Sequence, residues 1–184
     1  MHDDLTTHLL AWIRSHFFGK YRGIVTDNAD PTLRGRLKVR VPAILGELEI
    51  WAMPCVPYAG AGVGFYSLPE PETGVWIEFE AGDPSFPVWT GCFWATGELP
   101  DSGGADVKIW KTEKLTVRLD DSADELKMET TSRSTVTLAA DISSESGGAK
   151  QTVGALGVVS ELALGKLEVT PASVRINNGS MELM

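Results

Sequence analysis

The sequence has few of the residues that mark disulfide-rich, metal-binding or membrane-spanning proteins. It has only two cysteines, Cys55 and Cys92, in apolar contexts without C-x-x-C spacing. This predicts buried free thiols in preference to a disulfide, and gives no metal signature. The three histidines all lie within the first 16 residues. No run of eighteen apolar residues occurs, so no transmembrane helix is predicted, and no cofactor motif is found.

The chain also lacks a basic excess and a secretory leader. Its formal net charge is -9 and its pI is about 4.8, which argues against a non-specific DNA-binding protein. The N-terminal "MHDDLTTHLL" is acidic where a signal peptide would be basic. We therefore expect the protein to stay in the cytoplasm until it enters a larger assembly.

An amphipathic helix is predicted over residues 4–18, within an N-terminal segment 1–19. Leu5, Leu9, Ile13 and Phe17 recur at spacings of four, and Gly19 follows. This stripe packs either on its own domain or on a partner chain.

Residues 20–97 change to a period of two, punctuated by glycine and proline. About five short strands with almost no helix predict a small closed β-barrel of the OB type. Arg34, Arg36, Lys38 and Arg40 alternate along one of these strands. Three interpretations stay open for this basic row: a solvated face, contact with an acidic partner, or a nucleic-acid groove.

After a linker over residues 98–106, short strands recur about every ten residues from 107 to 184, and aromatic residues nearly vanish after Trp110. Strand, loop and helix all remain open for residues 142–165. The strands are apolar on one face only, and no second apolar layer is visible. The inward set is Leu115, Val117, Leu119, Leu126, Met128, Val136, Leu138, Leu162, Leu164, Leu167, Val169, Val174 and Ile176.

A single copy of this tail cannot bury the apolar face of its strands. Burying an apolar side chain contributes roughly 1.5–3 kcal/mol, whereas ordering a residue costs about 1–2 kcal/mol. Three copies wound about one axis would cover the face and pair the strand edges between chains. The alternatives are a single-chain β-solenoid and a sheet packed against the barrel.

The first hundred residues resemble the OB domain of the phage baseplate assembly protein V and VgrG spike family. The resemblance rests on an ordered series of motifs, with repetitive strands after them. The motifs are Asp30-Pro31, Gly35-Arg36, Val41-Pro42, Gly64-Phe65, Leu68-Pro69, Gly74-Val75, Gly82-Asp83-Pro84, Pro87 and Gly91.

This resemblance implies an all-β fold with a short N-terminal helix, an OB barrel and an intertwined triple-stranded β-helix in a homotrimer. It implies a non-enzymatic central spike of a contractile injection machine that binds no nucleic acid and touches the target membrane only during injection. Because only about twenty residues precede the barrel, the tube hub is expected to be a separate chain. The expected hub contacts are Trp12, Phe17, Arg36, Lys38 and Arg40.

A separate tip protein is expected as well. Family members with built-in metal tips resemble this chain but carry a C-terminal histidine pair, which is missing here. We expect a PAAR-type protein to cap the tail through Met181, Leu183 and Met184. The alternative functions are an OB-fold nucleic-acid-binding module with a trimerising tail and a polysaccharide-degrading tailspike.

Overall fold

The computed structural model describes residues 2–101 and 104–183, with side chains from residue 5 onward. It is mostly β, and it separates into two compact units between Glu98 and Leu99. The two units are described in turn.

The N-terminal unit contains a closed five-stranded barrel. Its strand order is β1-β2-β3-β7-β6, and β6 pairs with β1 to close it. Neighbouring strands are antiparallel except β3 and β7, where Met53 lies opposite Val88 in a parallel pair. The strands of this unit, including the small hairpin β4–β5, are β1 (Tyr21–Asp27), β2 (Leu37–Arg40), β3 (Glu49–Pro54), β4 (Ala59–Gly60), β5 (Val63–Gly64), β6 (Gly74–Phe79) and β7 (Pro87–Cys92). The predicted OB-type barrel is confirmed.

Alternating side chains from the barrel strands form the core. Gly23 in β1 faces inward, and a Cβ there would lie 2.8 Å from Cγ1 of Ile77, so the position has no room for a side chain. The indole Nε1 of Trp89 donates to the carbonyl of Gly35 at 3.3 Å. The buried hydrophobic residues are Val25, Leu37, Val39, Val41, Ala52, Val75, Ile77, Phe79 and Trp89.

Helix α1 spans His2–Ser15 and ends before the predicted boundary at residue 18. The hydroxyl of Ser15 donates to the carbonyl of Trp12, which closes the last turn. Beyond it the backbone N–H of Phe17 donates to the carbonyl of Gly82 at 2.7 Å. The chain therefore leaves the helix to anchor on the barrel. A second, short helix α2 covers Pro42–Leu45.

The prediction of buried thiols is wrong, although both cysteines are free as expected. Cys55 follows the end of β3, and its backbone N–H donates to the carbonyl of Trp89. Cys92 is the last residue of β7. Both side chains are exposed because they lie at the ends of strands, outside the alternating inward positions.

The loop between β1 and β2 is organised around one buried carboxylate, Asp30. It accepts six hydrogen bonds: from the backbone N–H and hydroxyl of Thr32, from the backbone N–H of Arg34, and from the backbone, Nε and Nη2 of Arg36. The ion pair to Arg36 is 2.8 Å long, and the Asp30 side chain is 3% exposed. The Arg36 guanidinium, helped by these N–H groups, holds the pKa of Asp30 well below its usual range although burial opposes the charge.

Replacing this carboxylate tests its contribution. Because the folded-state pKa of Asp30 is depressed, its contribution is present at neutral pH and is lost as the pH falls below the ordinary Asp value of 3.8. We expect Asp30→Asn to lower the melting temperature at pH 7 by more than about 5 °C. We expect the gap to narrow in thermal melts at pH 3 and to narrow further at pH 2.

Asp27→Asn is the matched control, because the Asp27 carboxylate, at the start of the same loop, accepts one hydrogen bond, from the backbone N–H of Ala29. An Asp27→Asn loss as large as that of Asp30→Asn, or a gap that does not change with pH, would contradict the assignment.

The C-terminal unit is a single antiparallel sheet of ten strands in which each strand pairs with its neighbours along the chain. The expected pairing of strand edges between chains is therefore corrected: the inner strands pair on both edges within their own chain. The strands are β8 (Val107–Lys111), β9 (Leu115–Asp120), β10 (Glu125–Thr130), β11 (Thr135–Leu138), β12 (Ile142–Ser146), β13 (Ala149–Gly154), β14 (Gly157–Leu162), β15 (Gly165–Val169), β16 (Val174–Ile176) and β17 (Met181–Leu183).

Residues 142–165, left open by the sequence, contain β12, β13 and β14. Gly147 and Gly148, with φ of 59° and 84°, form the tight turn between β12 and β13. Two successive positive φ values suit the two-residue turns that match strand twist. Residues 143–152 are polar apart from Ala149 and two glycines, which is why the periodicity alone does not identify β12 and β13.

Candidate interaction surfaces

One face of the C-terminal sheet is predominantly apolar, although Lys108 of β8 lies on it opposite Leu119 and a few polar residues lie near its centre. The register contains no shift from β8 to β17, so directly opposed residues share a face. We call this side the apolar face. Its first row, read across β9 to β17, is Leu119, Leu126, Leu138, Ile142, Val153, Val158, Val169, Val174 and Leu183.

A second row runs beside the first and is apolar at both ends. Leu115 and Leu162 lie beyond it on the same face, near strand ends. The second row, from β8 to β17, is Trp110, Val117, Met128, Val136, Ser144, Gln151, Ser160, Leu167, Ile176 and Met181.

The apolar face has no cover within its own unit. Every buried hydrophobic side chain of the described residues belongs to the barrel. On the apolar face Leu138 is 41% exposed and Leu162 is 59% exposed. A contiguous exposed apolar surface of this kind marks an interaction site.

The structure brings twelve of the thirteen residues of the predicted inward set together on the apolar face. Leu164 is the one that does not lie there: it sits in the turn between β14 and β15 and is 96% exposed. Sequence reasoning missed Ile142, Val153 and Val158, which complete the first row.

The opposite face of this sheet is polar and its charges are paired. Glu145, Lys150, Glu161 and Lys166 face one another across four strands with alternating sign. Near the end of the sheet, Arg175 donates to Glu182 at 2.7 Å and lowers the pKa of that carboxyl. This alternation is typical of a face that remains in water.

Another carboxylate, Asp120, fixes the turn after β9. Hydrogen bonds from Ser122 and Arg118 lower its pKa to about 2. The guanidinium of Arg118 lies 2.8 Å from Asp120 and 3.4 Å from Asp101. These contacts hold the polar face and the β9–β10 turn together.

The predicted tip residues lie at the last strand of the sheet. Met181 and Leu183 belong to β17 and are on the apolar face, 53% and 57% exposed. Met184 lies outside the described residues.

Helix α1 carries a second uncovered apolar surface. Leu5, Leu9, Trp12 and Ile13 are all exposed, and Trp12 stacks on His16 with ring centroids 4.3 Å apart. We call these four side chains the helix stripe. Of the two packing alternatives from the sequence, packing on the barrel does not occur here, since none of the four is buried.

Two of the predicted hub residues, Phe17 and Arg36, make contacts within their own unit. Phe17 packs on the core beside Phe79, with ring centroids 6.3 Å apart. Arg36 is bound to Asp30 and lies 5.2 Å from the Trp51 ring, so its charge is not free to meet a partner. Trp12 remains available on the helix stripe.

Two more residues of the basic row, Lys38 and Arg40, are paired with acids of the same unit. Lys38 lies 3.1 Å from Glu49, and Arg40 lies 3.2 Å from Glu47. The guanidinium of Arg34 donates to the hydroxyl of Thr32 at 3.2 Å. The row therefore presents much less positive charge than its sequence indicates.

This pairing predicts weak contact with nucleic acid. We expect a fluorescent single-stranded oligonucleotide to show no saturable binding at moderate salt up to about 100 µM protein. The double variant Glu47→Gln/Glu49→Gln, which frees Lys38 and Arg40, should gain weak, salt-sensitive binding. Tight binding by the unchanged protein would restore the nucleic-acid interpretation.

Two further findings concern the described residues as a whole. In that part of the chain no helix is both long and apolar enough to cross a bilayer. Nor do three His, Cys, Asp or Glu side chains gather there in a way that could hold a metal ion.

Strand order, closure and the parallel β3–β7 pair define the N-terminal unit as an OB-type barrel. Residues 21–94, from the first residue of β1 to just beyond β7, match the family of the Type VI secretion system/phage-baseplate injector OB domain. The barrel is thus similar to the injector OB domain of this baseplate family, as the sequence motifs indicated. The match covers less than half of the 184 residues, and it supports a structural, spike-like role in a baseplate. A search of curated proteins finds no significant match.

Proposed function

We propose that the protein is the central spike of a contractile injection baseplate and that it works as a homotrimer. Three C-terminal sheets pack their apolar faces around a common axis and leave their charge-paired faces in water. The observation that carries the proposal is the apolar face itself, which runs without a break in register across ten strands and has no cover in its own unit.

The narrowness of the sheet favours three copies. Its strands are three to six residues long, so each contributes only one to three side chains to the apolar face. Three narrow sheets can enclose a triangular core in which every row meets its own copies. A twofold sandwich would cover the same face, but the resemblance to trimeric spikes favours threefold closure. The two arrangements differ in mass.

The mass of the assembly gives the first test. We expect light scattering to report three times the 19.9 kDa chain mass. Leu138→Asp places a carboxylate on the apolar face, where burial without a partner costs several kcal/mol. This variant should be monomeric at micromolar concentration.

Thr137→Asp is the control, because Thr137 is the adjacent residue in β11 and lies on the polar face opposite Lys127. It should remain trimeric. A single-chain or two-chain mass for the unchanged protein would rule out the trimer. Equal behaviour of the two variants would rule out this packing of the faces.

We further propose that the helix stripe joins the spike to a separate tube-hub protein. Supporting this, Leu5, Leu9, Trp12 and Ile13 are exposed on one helix that the barrel does not cover. An amphipathic helix of this kind binds an apolar groove of a partner through residues spaced three and four apart. Of the predicted hub contacts, this proposal relies on Trp12, since Phe17 and Arg36 are engaged within the barrel.

At the other terminus we propose a PAAR-type tip protein. Met181 and Leu183 give the last strand an exposed apolar surface, and β17 has a free strand edge among the described strands. Such an edge is open to another chain unless it is covered. A cap would protect it and give the spike its point.

The tip contact is tested by binding. Leu183→Asp should reduce binding of a PAAR-type protein from the same gene neighbourhood at least about tenfold in a titration, since an apolar contact is replaced by a charge. Glu182→Gln, on the opposite face, is the control and should bind normally. No affinity of the unchanged trimer for the tip protein would refute the contact.

In this proposal the protein assembles in the cytoplasm and becomes part of a tail-like particle. When the sheath contracts, the spike is pushed through the target envelope and touches the membrane only during that event. The family is a structural baseplate domain, which agrees with a role that needs no catalysis.

A further inference from the structure

The second row of the apolar face is interrupted by polar residues near its centre. In the second row Ser144 lies opposite Gln151, and Gln151 lies opposite Ser160. The same row is apolar on both sides, at Val136 and at Leu167. We call Ser144, Gln151 and Ser160 the polar layer.

The polar layer is unsatisfied within one chain. Among the described side chains, none donates or accepts a hydrogen bond with Ser144, Gln151 or Ser160, and Gln151 is exposed. In a free chain these groups meet water. If the apolar faces close on one another, water is excluded, and an amide left without a partner costs about 1–3 kcal/mol.

A copy of the same layer provides what Gln151 requires. Its amide both donates and accepts, so three copies at one height can bond in a closed ring, each donating to the next. The neighbouring hydroxyls of Ser144 and Ser160 can bond the remaining donors and acceptors of the Gln151 amides. The residues of this layer carry no charge, so bringing three of them together causes no repulsion.

The apolar rows cannot determine the position of one chain relative to another along the trimer axis. The first row is a succession of leucine, isoleucine and valine, and a slip by two strands exchanges one such side chain for a similar one. The same slip would set Gln151 against an apolar neighbour. Polar residues confined to one part of an apolar seam therefore penalise the registers that set them against apolar neighbours.

We propose that Gln151 determines the register of the trimer, through an interchain hydrogen-bonded layer with Ser144 and Ser160. This inference rests on the homotrimer proposed above. The partner of each polar layer is the same layer in the two other copies. It assigns to Gln151 a role in specificity that the apolar residues around it cannot perform.

The first test places a charge in the layer. With the trimeric mass verified for the unchanged protein, Gln151→Glu should lower the melting temperature at pH 7 by more than about 5 °C, because three carboxylates would be held together. The loss should shrink at pH 4 to 5, as the carboxylates protonate. Thr152→Glu, the adjacent residue on the polar face, should change little at either pH.

The second test measures register directly. In a Cys55→Ser/Cys92→Ser background, Ser144→Cys should form an interchain disulfide under mild oxidation, because the copies lie at one height. Adding Gln151→Leu should keep the trimeric mass but reduce the cross-linked fraction to less than half. Adding Thr152→Leu should leave it unchanged.

The outcomes separate the two proposals. Two results would overturn the role of Gln151 and leave the proposed spike intact. One is a trimer whose cross-linked fraction is the same with Gln151→Leu as without it. The other is a melting temperature of Gln151→Glu equal to that of Thr152→Glu. A single-chain mass of the unchanged protein overturns the trimer, and the register proposal falls with it.

Discussion

The C-terminal sheet is one layer thick, and its apolar face has no cover within its own unit. Hydrogen bonding within the sheet is satisfied along the chain from β8 to β17, so the backbone makes no demand for a partner except at its two edges. The side chains do require a partner, because Leu119, Leu138 and the rest of their row are exposed to water in a single chain. Copies of the sheet are the cover that fits the uniform rows on one side and the paired charges on the other.

The barrel covers its apolar side chains within a single chain. Its inward side chains meet across a closed sheet, and Val25, Leu37 and Ile77 are fully buried. Its long first loop is fixed by Asp30, which satisfies loop N–H groups and at the same time neutralises Arg36. The unit that matches the injector family is thus self-sufficient, and the C-terminal unit is the one that needs partners.

Much of this architecture follows from alternation in the sequence. Leu37 and Val39, or Val117 and Leu119, reveal strands and their buried side because their neighbours are polar. Residues 142–153 do not, because only the ends of β12 and β13 are apolar. The polar layer needs the pairing register, which the Gly147-Gly148 turn sets. Likewise, the sequence places Arg36 on an open basic row, and only the folded loop brings it to Asp30.

The direction of the hydrogen-bond ladders has a mechanical consequence. Ten strands stacked about 4.8 Å apart make a sheet longer across its strands than along them. A load along that long direction presses neighbouring strands into van der Waals contact, whereas a pull would open the ladder one pair at a time. A lone ribbon would buckle under the same thrust. In the proposed trimer, three such sheets packed together would form a column that resists compression better than tension, which suits a spike that is pushed in one direction only.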